Sequence, residues 1–346
     1  MDYLLEFLLF LAKTVTVVGG LLVVVTMLTM LGQKAKKLHK GHLEVTKINE
    51  HLNQLKESLQ HALLDKDTLK KMYKTEKKSE KEKKKEAKGQ IKPEKPRVFV
   101  IDFHGDLKAS AVKSLREEVS AVLALAEKND EIVIRLESAG GMVHSYGLAA
   151  SQLARIRSCG IKLTVAVDKV AASGGYMMAC TADRIISAPF AVIGSIGVMA
   201  QLPNFHKVLK KHDVDVELHT AGEFKRTLTV LGENTDKGRE KFKQDIEDTH
   251  GLFKQFINDN RHQVDIETVA TGEVWYGKKA IELKLVDEIM TSDEYLCKKI
   301  ENSDVVQVAY VIKKGVTDKF GMAAHSAIDT IVTKWWERLY NNRFFS

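Results

Sequence analysis

LTVAVDKVAASGGYMMAC, residues 163–180, places a turn of small residues between two apolar runs. Residues 163–167 are aliphatic and β-branched and fit a buried strand, while 176–180 fit the start of a buried helix. Ser173 stands in the turn with Ala172 before it and Gly174 and Gly175 after it. A nucleophilic serine needs that setting: a tight turn that exposes the hydroxyl, and an adjacent backbone N–H that can meet a developing oxyanion. The same letters also suit a plain glycine turn that does no chemistry, so the surrounding sequence has to decide.

Outward from this stretch, apolar strands alternate with amphipathic helices. Strands are expected at 97–103, 132–136, 163–167 and 184–187, and helices at 110–126, 145–158 and 175–181. Such alternation argues for an α/β fold with a parallel sheet, whose sites gather at the carboxyl ends of the strands. Residues 185–202 are apolar enough to imitate a membrane span. Arg184, Pro189, Pro203 and three small turn residues point instead to an interior wall of the site. Further helices are expected at 207–212 and 237–260.

A serine hydroxyl is a weak nucleophile until a base takes its proton. His206 and His212 lie in a charged segment and His144 follows a different loop. A lysine serves when an apolar pocket disfavours its charge, and Lys225 follows an expected strand at 214–218; it also matches the many solvated lysines of this chain. Two glycine-bearing turns fit the same site. After the strand at 132–136 comes Glu137-Ser138-Ala139-Gly140-Gly141, where glycine lets a substrate backbone approach and an N–H be offered. Ile193-Gly194-Ser195-Ile196-Gly197 supplies a hydroxyl in an apolar turn, suited to holding an amine in place; ordinary loop punctuation would read the same.

These four motifs, in this order, resemble the signal peptide peptidase A family over roughly residues 97–288. The resemblance implies a ClpP/crotonase-type α/β fold and a Ser–Lys dyad serine peptidase. It implies Ser173 as nucleophile, Lys225 as general base, Ser195 as the residue orienting the lysine, and Gly141 and Gly174 as the oxyanion hole. It implies no metal and no cofactor, a ring-like homo-oligomer, and a peptide or membrane-associated, signal-peptide-like substrate. Residues 97–315 would form the peptidase domain.

The ends of the chain carry a different signal. Residues 3–31 are apolar apart from Glu6 and Lys13, and the uninterrupted part, 14–31, meets the length of a membrane-spanning helix. No small-residue cleavage site comes after it, so an uncleaved single-pass anchor is expected, and the family resemblance implies that the membrane is a bacterial inner membrane. Lys34, Lys36, Lys37 and Lys40 place the catalytic domain in the cytoplasm by the positive-inside rule, whereas the family resemblance places it on the periplasmic side. Val45, Ile48, Leu52, Leu55, Leu59 and Ala62 trace a heptad seam, giving a helical stalk at 42–74. A solvated, extended lysine-rich linker is expected at 75–96, and an amphipathic helix within 316–346, with Trp335 and Trp336, closes the chain.

Among the 346 residues, 44% are hydrophobic and 29% charged, enough for a sizeable core. The net charge of +7 is concentrated in the linker, which lacks the aromatics that stack nucleic-acid bases, so nucleic acid is not an expected partner. The three cysteines, Cys159, Cys180 and Cys297, make no CxxC pair; Cys159 and Cys180 fall at expected buried or helix-end positions and read as packing residues, with no metal site. Rival readings are a Ser-His-Asp protease, disfavoured because residues 176–203 hold no histidine, and a crotonase-type acyl-CoA enzyme, for which Glu137 is the one nearby carboxylate. A catalytically inactive, membrane-tethered scaffold is the alternative from another class.

Overall fold

The computed structural model describes residues 13–16, 18–20, 41–86 and 95–312. Packing divides the chain into Glu44–Ala309 and a second unit formed by Met1–Leu43 and Tyr310–Ser346. Of the second unit, the described part is two helical pieces at 13–16 and 18–20 and short stretches at 41–43 and 310–312. Most of the expected anchor at 3–31 and the expected C-terminal helix at 316–346 lie outside the described residues. Among the described residues, no helix is long and apolar enough to cross a membrane.

The elements run β1 (His42–Lys47), α1 (Ile48–Leu63), α2 (Lys66–Glu86), β2 (Arg97–Gly105), α3 (Val112–Leu123), β3 (Glu131–Ser138), α4 (Val143–Ser158) and β4 (Lys162–Val167). They continue through β5 (Val170–Ala172), α5 (Gly174–Ala179), β6 (Arg184–Ser187), β7 (Val192–Gly194), α6 (His206–Lys211) and α7 (Asp236–Asn260). The last are α8 (Ile266–Val269), β8 (Val274–Tyr276), α9 (Gly277–Glu282), β9 (Glu288–Ile289), α10 (Ser292–Ile300) and β10 (Asp304–Val311). The expected α/β alternation from residue 97 to residue 187 is therefore present element by element.

The main sheet has the order β1-β10-β2-β3-β4-β6-β9, and the pairings β10–β2, β2–β3, β3–β4, β4–β6 and β6–β9 are parallel. Its central strands are buried on both faces, as parallel sheets are. In β2, Phe99, Ile101 and Phe103 join one cluster with Leu115, Leu153 and Tyr176, while Val98 and Val100 join another with Tyr295 and Leu296. That division follows from the two-residue period of a strand. A branch leaves the sheet at the end of β3: Ser138 pairs with Ala171 of β5, β5 pairs parallel with β7, and β8 runs antiparallel along β7. This branch carries the site.

A buried clamp closes the core behind it. Arg261, just past the end of α7, is 2% exposed and donates to both carboxylate oxygens of Asp287, at 2.9 and 3.0 Å, and to the Lys284 carbonyl at 2.8 Å. A planar guanidinium suits such a two-pronged carboxylate contact. Tyr176 of α5 donates to the neighbouring Leu285 carbonyl at 2.9 Å, tying the serine-bearing helix to the same turn.

Three sequence expectations are corrected. The stalk at 42–74 is not one continuous helix: Val45 belongs to β1, and α1 begins only at Ile48. The linker at 75–96 is helical through Glu86, because Lys and Glu are good helix formers and neither Gly nor Pro interrupts residues 66–86. No strand forms at 214–218. The alternation of Val214, Val216 and Leu218 with acidic residues has the strand period, but all three apolar side chains are exposed and no described strand pairs with them.

Candidate active site

Two parallel strands of the branch end side by side. The register pairs Val170 with Val192, Ala171 with Ile193 and Ala172 with Gly194. The next residue of each, Ser173 and Ser195, therefore leaves the sheet at the same level. Both have φ of +52°, a region that non-glycine residues rarely enter. Each is held there by its own backbone: Ser173 N–H donates to the Gly194 carbonyl at 2.7 Å, and Ser195 N–H to the Glu273 carbonyl at 2.6 Å. A strained serine at a strand-to-helix turn is a recurring way of presenting a reactive hydroxyl. Here β5 ends at Ala172, Ser173 turns, and α5 starts at Gly174.

The Gly140–Gly141 loop lies directly against this turn. Because Ser138 pairs with Ala171, the residues after β3 pass beside Ser173. Gly140 has φ of +91°, and a Cβ there would stand 2.7 Å from both Gly174 N and Ser173 Cβ. A Cβ on Gly141 would meet the Leu107 carbonyl oxygen at 2.2 Å, and one on Gly174 would strike the Tyr146 ring at 2.4 Å. Only glycine permits these approaches.

Tyr146, from α4, was not singled out from sequence, yet it braces the loop. Gly140 N–H donates to Ser138 Oγ at 3.1 Å. Ser138 and Tyr146 hydroxyls are 2.6 Å apart, and Tyr146 donates to the Asp106 carbonyl at 2.9 Å. The Tyr146 proton is thus committed to Asp106, which makes Ser138 the donor to Tyr146. Burial pushes the Tyr146 hydroxyl above the ordinary phenol range and keeps it protonated. Tyr146→Phe removes the middle of this chain. It should cost about 1 kcal/mol in denaturant unfolding and speed hydrogen exchange at the Gly140 amide. Unchanged exchange at that amide would show that the chain does not brace the loop.

Ser173, Ser195, Gly140, Gly141 and Gly174 all face one cavity of about 1010 Å³. Its apolar walls include Leu107, Val143, Met177, Val198, Met199, Phe253 and Phe256, so the segment after β7 does line the site as expected. Helix α7 supplies the opposite wall, and with it His250. Sequence reasoning passed over His250 because it lies far along the chain from Ser173. The one available signal was its spacing of three and seven residues from Phe253 and Ile257, on the buried face of α7.

Lys225 is placed differently. It is exposed, in a stretch without helix or strand, and does not line this cavity. Beside it, Glu223 is ion-paired with Lys237, and the Lys237 and Lys241 amines sit 5.8 and 5.9 Å from the centre of the Phe224 ring. The chain thus brings four of the five expected site residues together, Ser173, Ser195, Gly141 and Gly174, and leaves the fifth outside. Glu137, needed by the acyl-CoA reading, turns to Lys169 at 3.0 Å and does not line the cavity either. All three cysteines are free, with Cys180 buried and Cys159 and Cys297 exposed. Among the described residues, no cluster of His, Cys, Asp or Glu could hold a metal ion.

Comparison with known proteins gives a consistent result. Residues 2–153 match Peptidase family S49 N-terminal, and residues 155–306 match Peptidase family S49. The probable protease SohB of Haemophilus influenzae is 51% identical over 341 residues, covering 96% of each chain. Proteins of the same name from Buchnera aphidicola are 52% identical over 251 residues (subspecies Acyrthosiphon pisum; 72% of this chain, 75% of that one) and 46% identical over 336 residues (subspecies Schizaphis graminum; 96% and 98%). Among solved structures, a serine-to-alanine mutant of the membrane-bound stomatin-specific protease 1510-N covers 62% of this chain and 98% of its own. Its identity is 13% and its TM-score 0.42, a likeness too loose to carry an argument.

Proposed function

The chain belongs to peptidase family S49, and on that premise we propose that it is a membrane-anchored serine endopeptidase using Ser173 and Lys225 as a catalytic dyad. The observation that carries the reading is Ser173 itself: a serine with φ of +52° at the start of α5, facing an apolar cavity beside the Gly140–Gly141 loop. In the proposed reaction Ser173 Oγ attacks the scissile carbonyl and forms an acyl-enzyme. Lys225 takes the hydroxyl proton and returns it to the leaving amine. Gly141 and Gly174 N–H groups receive the oxyanion, and Ser195 orients the lysine amine. Water then hydrolyses the ester. The substrate is an extended peptide with apolar side chains, lying along the loop after Ser138. The layered sheet and its branch fit a fold of the ClpP/crotonase type.

Lys225 enters the site, in this reading, when copies of the chain assemble. The stretch around it leaves Met199, Phe205, Val208, Val214, Val216, Leu218, Phe224 and Leu231 exposed. Apolar side chains concentrated in this way mark a surface that is covered by another chain. A homo-oligomer would bury them and bring the amine, stripped of water, to the cavity mouth. Residues 3–31 anchor the assembly in a bacterial inner membrane.

The direct test is labelling with a serine-directed fluorophosphonate, read by peptide mass spectrometry. The adduct is expected on Ser173 and nowhere in Ser173→Ala; a wild-type protein that stays unlabelled at Ser173 would overturn the reading. Gly141→Ala gives a second expectation. Its new Cβ collides with the Leu107 carbonyl, so the loop and its N–H shift. Loss of one oxyanion donor lowers kcat by about 10²–10³-fold. Normal kcat on an apolar peptide would remove Gly141 from the oxyanion hole.

A further inference from the structure

Gly147 stands in the second turn of α4, midway between Val143 and Ser151, and all three face the cavity that holds Ser173. A glycine inside a helix destabilises it relative to alanine, because the unfolded chain has more conformations to lose. The other glycines of the cavity each have a local reason. Gly140 and Gly272 have φ of +91° and +85°, and Gly141, Gly174 and Gly197 are closely approached by a neighbour. Gly147 has neither. Its backbone is helical, and among the described residues a Cβ added there would meet no heavy atom within 4 Å beyond its own turn. Packing gives no reason for the missing side chain, whereas the cavity gains room from it.

The surroundings indicate what fills that room. The two hydroxyls nearest in the walls turn back onto their own helices: Ser151 donates to the Gly147 carbonyl at 2.8 Å, and Thr249 to the Asp245 carbonyl at 2.7 Å. Their protons are withdrawn from the cavity. The walls that remain are Val143 of α4, Met177 of α5, and Leu252, Phe253 and Phe256 of α7. Val143 and Leu252 are 46% and 68% exposed, apolar surface that a bound apolar group would take out of water. An alanine side chain of a peptide would leave these walls wet, while a leucine, methionine or phenylalanine is long enough to cover them.

We propose that Gly147 is a specificity-determining residue: the space above it, between α4 and α7, receives a large apolar side chain (Leu, Met or Phe) of the peptide bound at Ser173. This rests on the peptidase reading of the cavity and deepens it, since size at one substrate position is set by a residue without a side chain. In an apolar pocket each methylene gained or lost changes the rate about tenfold or more.

The test uses the full-length protein and a peptide library in which each position flanking the cleaved bond carries Ala, Leu or Phe. Wild type should cleave the Leu or Phe peptide at least about tenfold faster than the Ala peptide at one position. Gly147→Leu occupies the space and should lower that ratio at least about tenfold, with each rate normalised to the fraction of Ser173 that a small fluorophosphonate labels. Gly147→Ala should raise the melting temperature by about 1–4 °C and lower the Phe-to-Ala ratio less than Gly147→Leu does. An active wild type without the preference, a preference that survives in Gly147→Leu, or a melting temperature lowered in Gly147→Ala overturns the assignment and leaves the peptidase reading intact. So does a Gly147→Leu protein that loses its oligomeric state, since a second copy would then be what covers Gly147. A wild type inert towards the whole library also overturns the assignment, and if Ser173 stays unlabelled the peptidase reading falls with it.

Discussion

Ser173→Ala is expected to lower kcat/KM for peptide cleavage by about 10⁴-fold or more, the scale on which loss of an activated nucleophile is felt. The fold should not register the change. Removing one oxygen leaves the turn's backbone bonds in place, namely Ser173 N–H to the Gly194 carbonyl and Met177 N–H to the Ser173 carbonyl at 3.0 Å. Alanine meets the same cost as serine at a φ of +52°. Melting temperature and oligomeric state should therefore match wild type, and an enzyme that keeps most of its activity without this hydroxyl would have its nucleophile elsewhere.

Lys225→Ala should cause a comparable loss, and Lys225→Arg should not rescue it, because a guanidinium does not give up its proton at working pH. Single-chain stability offers a contrast that makes this informative. Lys225 is exposed, and its backbone bond, N–H to the Gly222 carbonyl at 3.1 Å, survives the substitution. A merely structural role would be silent at such a position. A loss of catalysis without loss of folding or of assembly would mean that the side chain works on the reaction. If Lys225→Ala cleaves peptides at near the wild-type rate, the base is another group.

The peptidase core was legible because its strands are buried on both sides and its turns need glycine. Apolar runs at 132–136, 163–167 and 184–187 leave no reading but a covered parallel sheet, and all three are parallel strands. The close approaches at Gly140, Gly141 and Gly174 are local necessities, so they were visible as glycines in the sequence. Residues 214–218 were not legible for the opposite reason. A two-residue period states that one face is covered but cannot say by which molecule, and none of the described residues covers it. Val45 misled in a similar way, since a heptad position and a strand position both accept a β-branched residue.

His250 and Tyr146 show the remaining limit. Each reaches the site through tertiary packing of a helix whose own pattern announces only a buried face. Tyr146 makes its contacts with Ser138 and Asp106 through a hydroxyl that looks, in sequence, like part of an apolar stripe. Sequence therefore located Ser173 and the glycine loops around it, while Tyr146 and His250 came from the three-dimensional arrangement.

An experimental structure of the assembled particle, with the Lys225 Nζ to Ser173 Oγ distance as its readout, tests the dyad most directly. Assembly should bring the two atoms to about 2.6–3.2 Å, the reach of a proton transfer, with Phe224 and its apolar neighbours buried against another copy. A fully assembled particle in which that amine still points into solvent, far from the hydroxyl, would contradict the account.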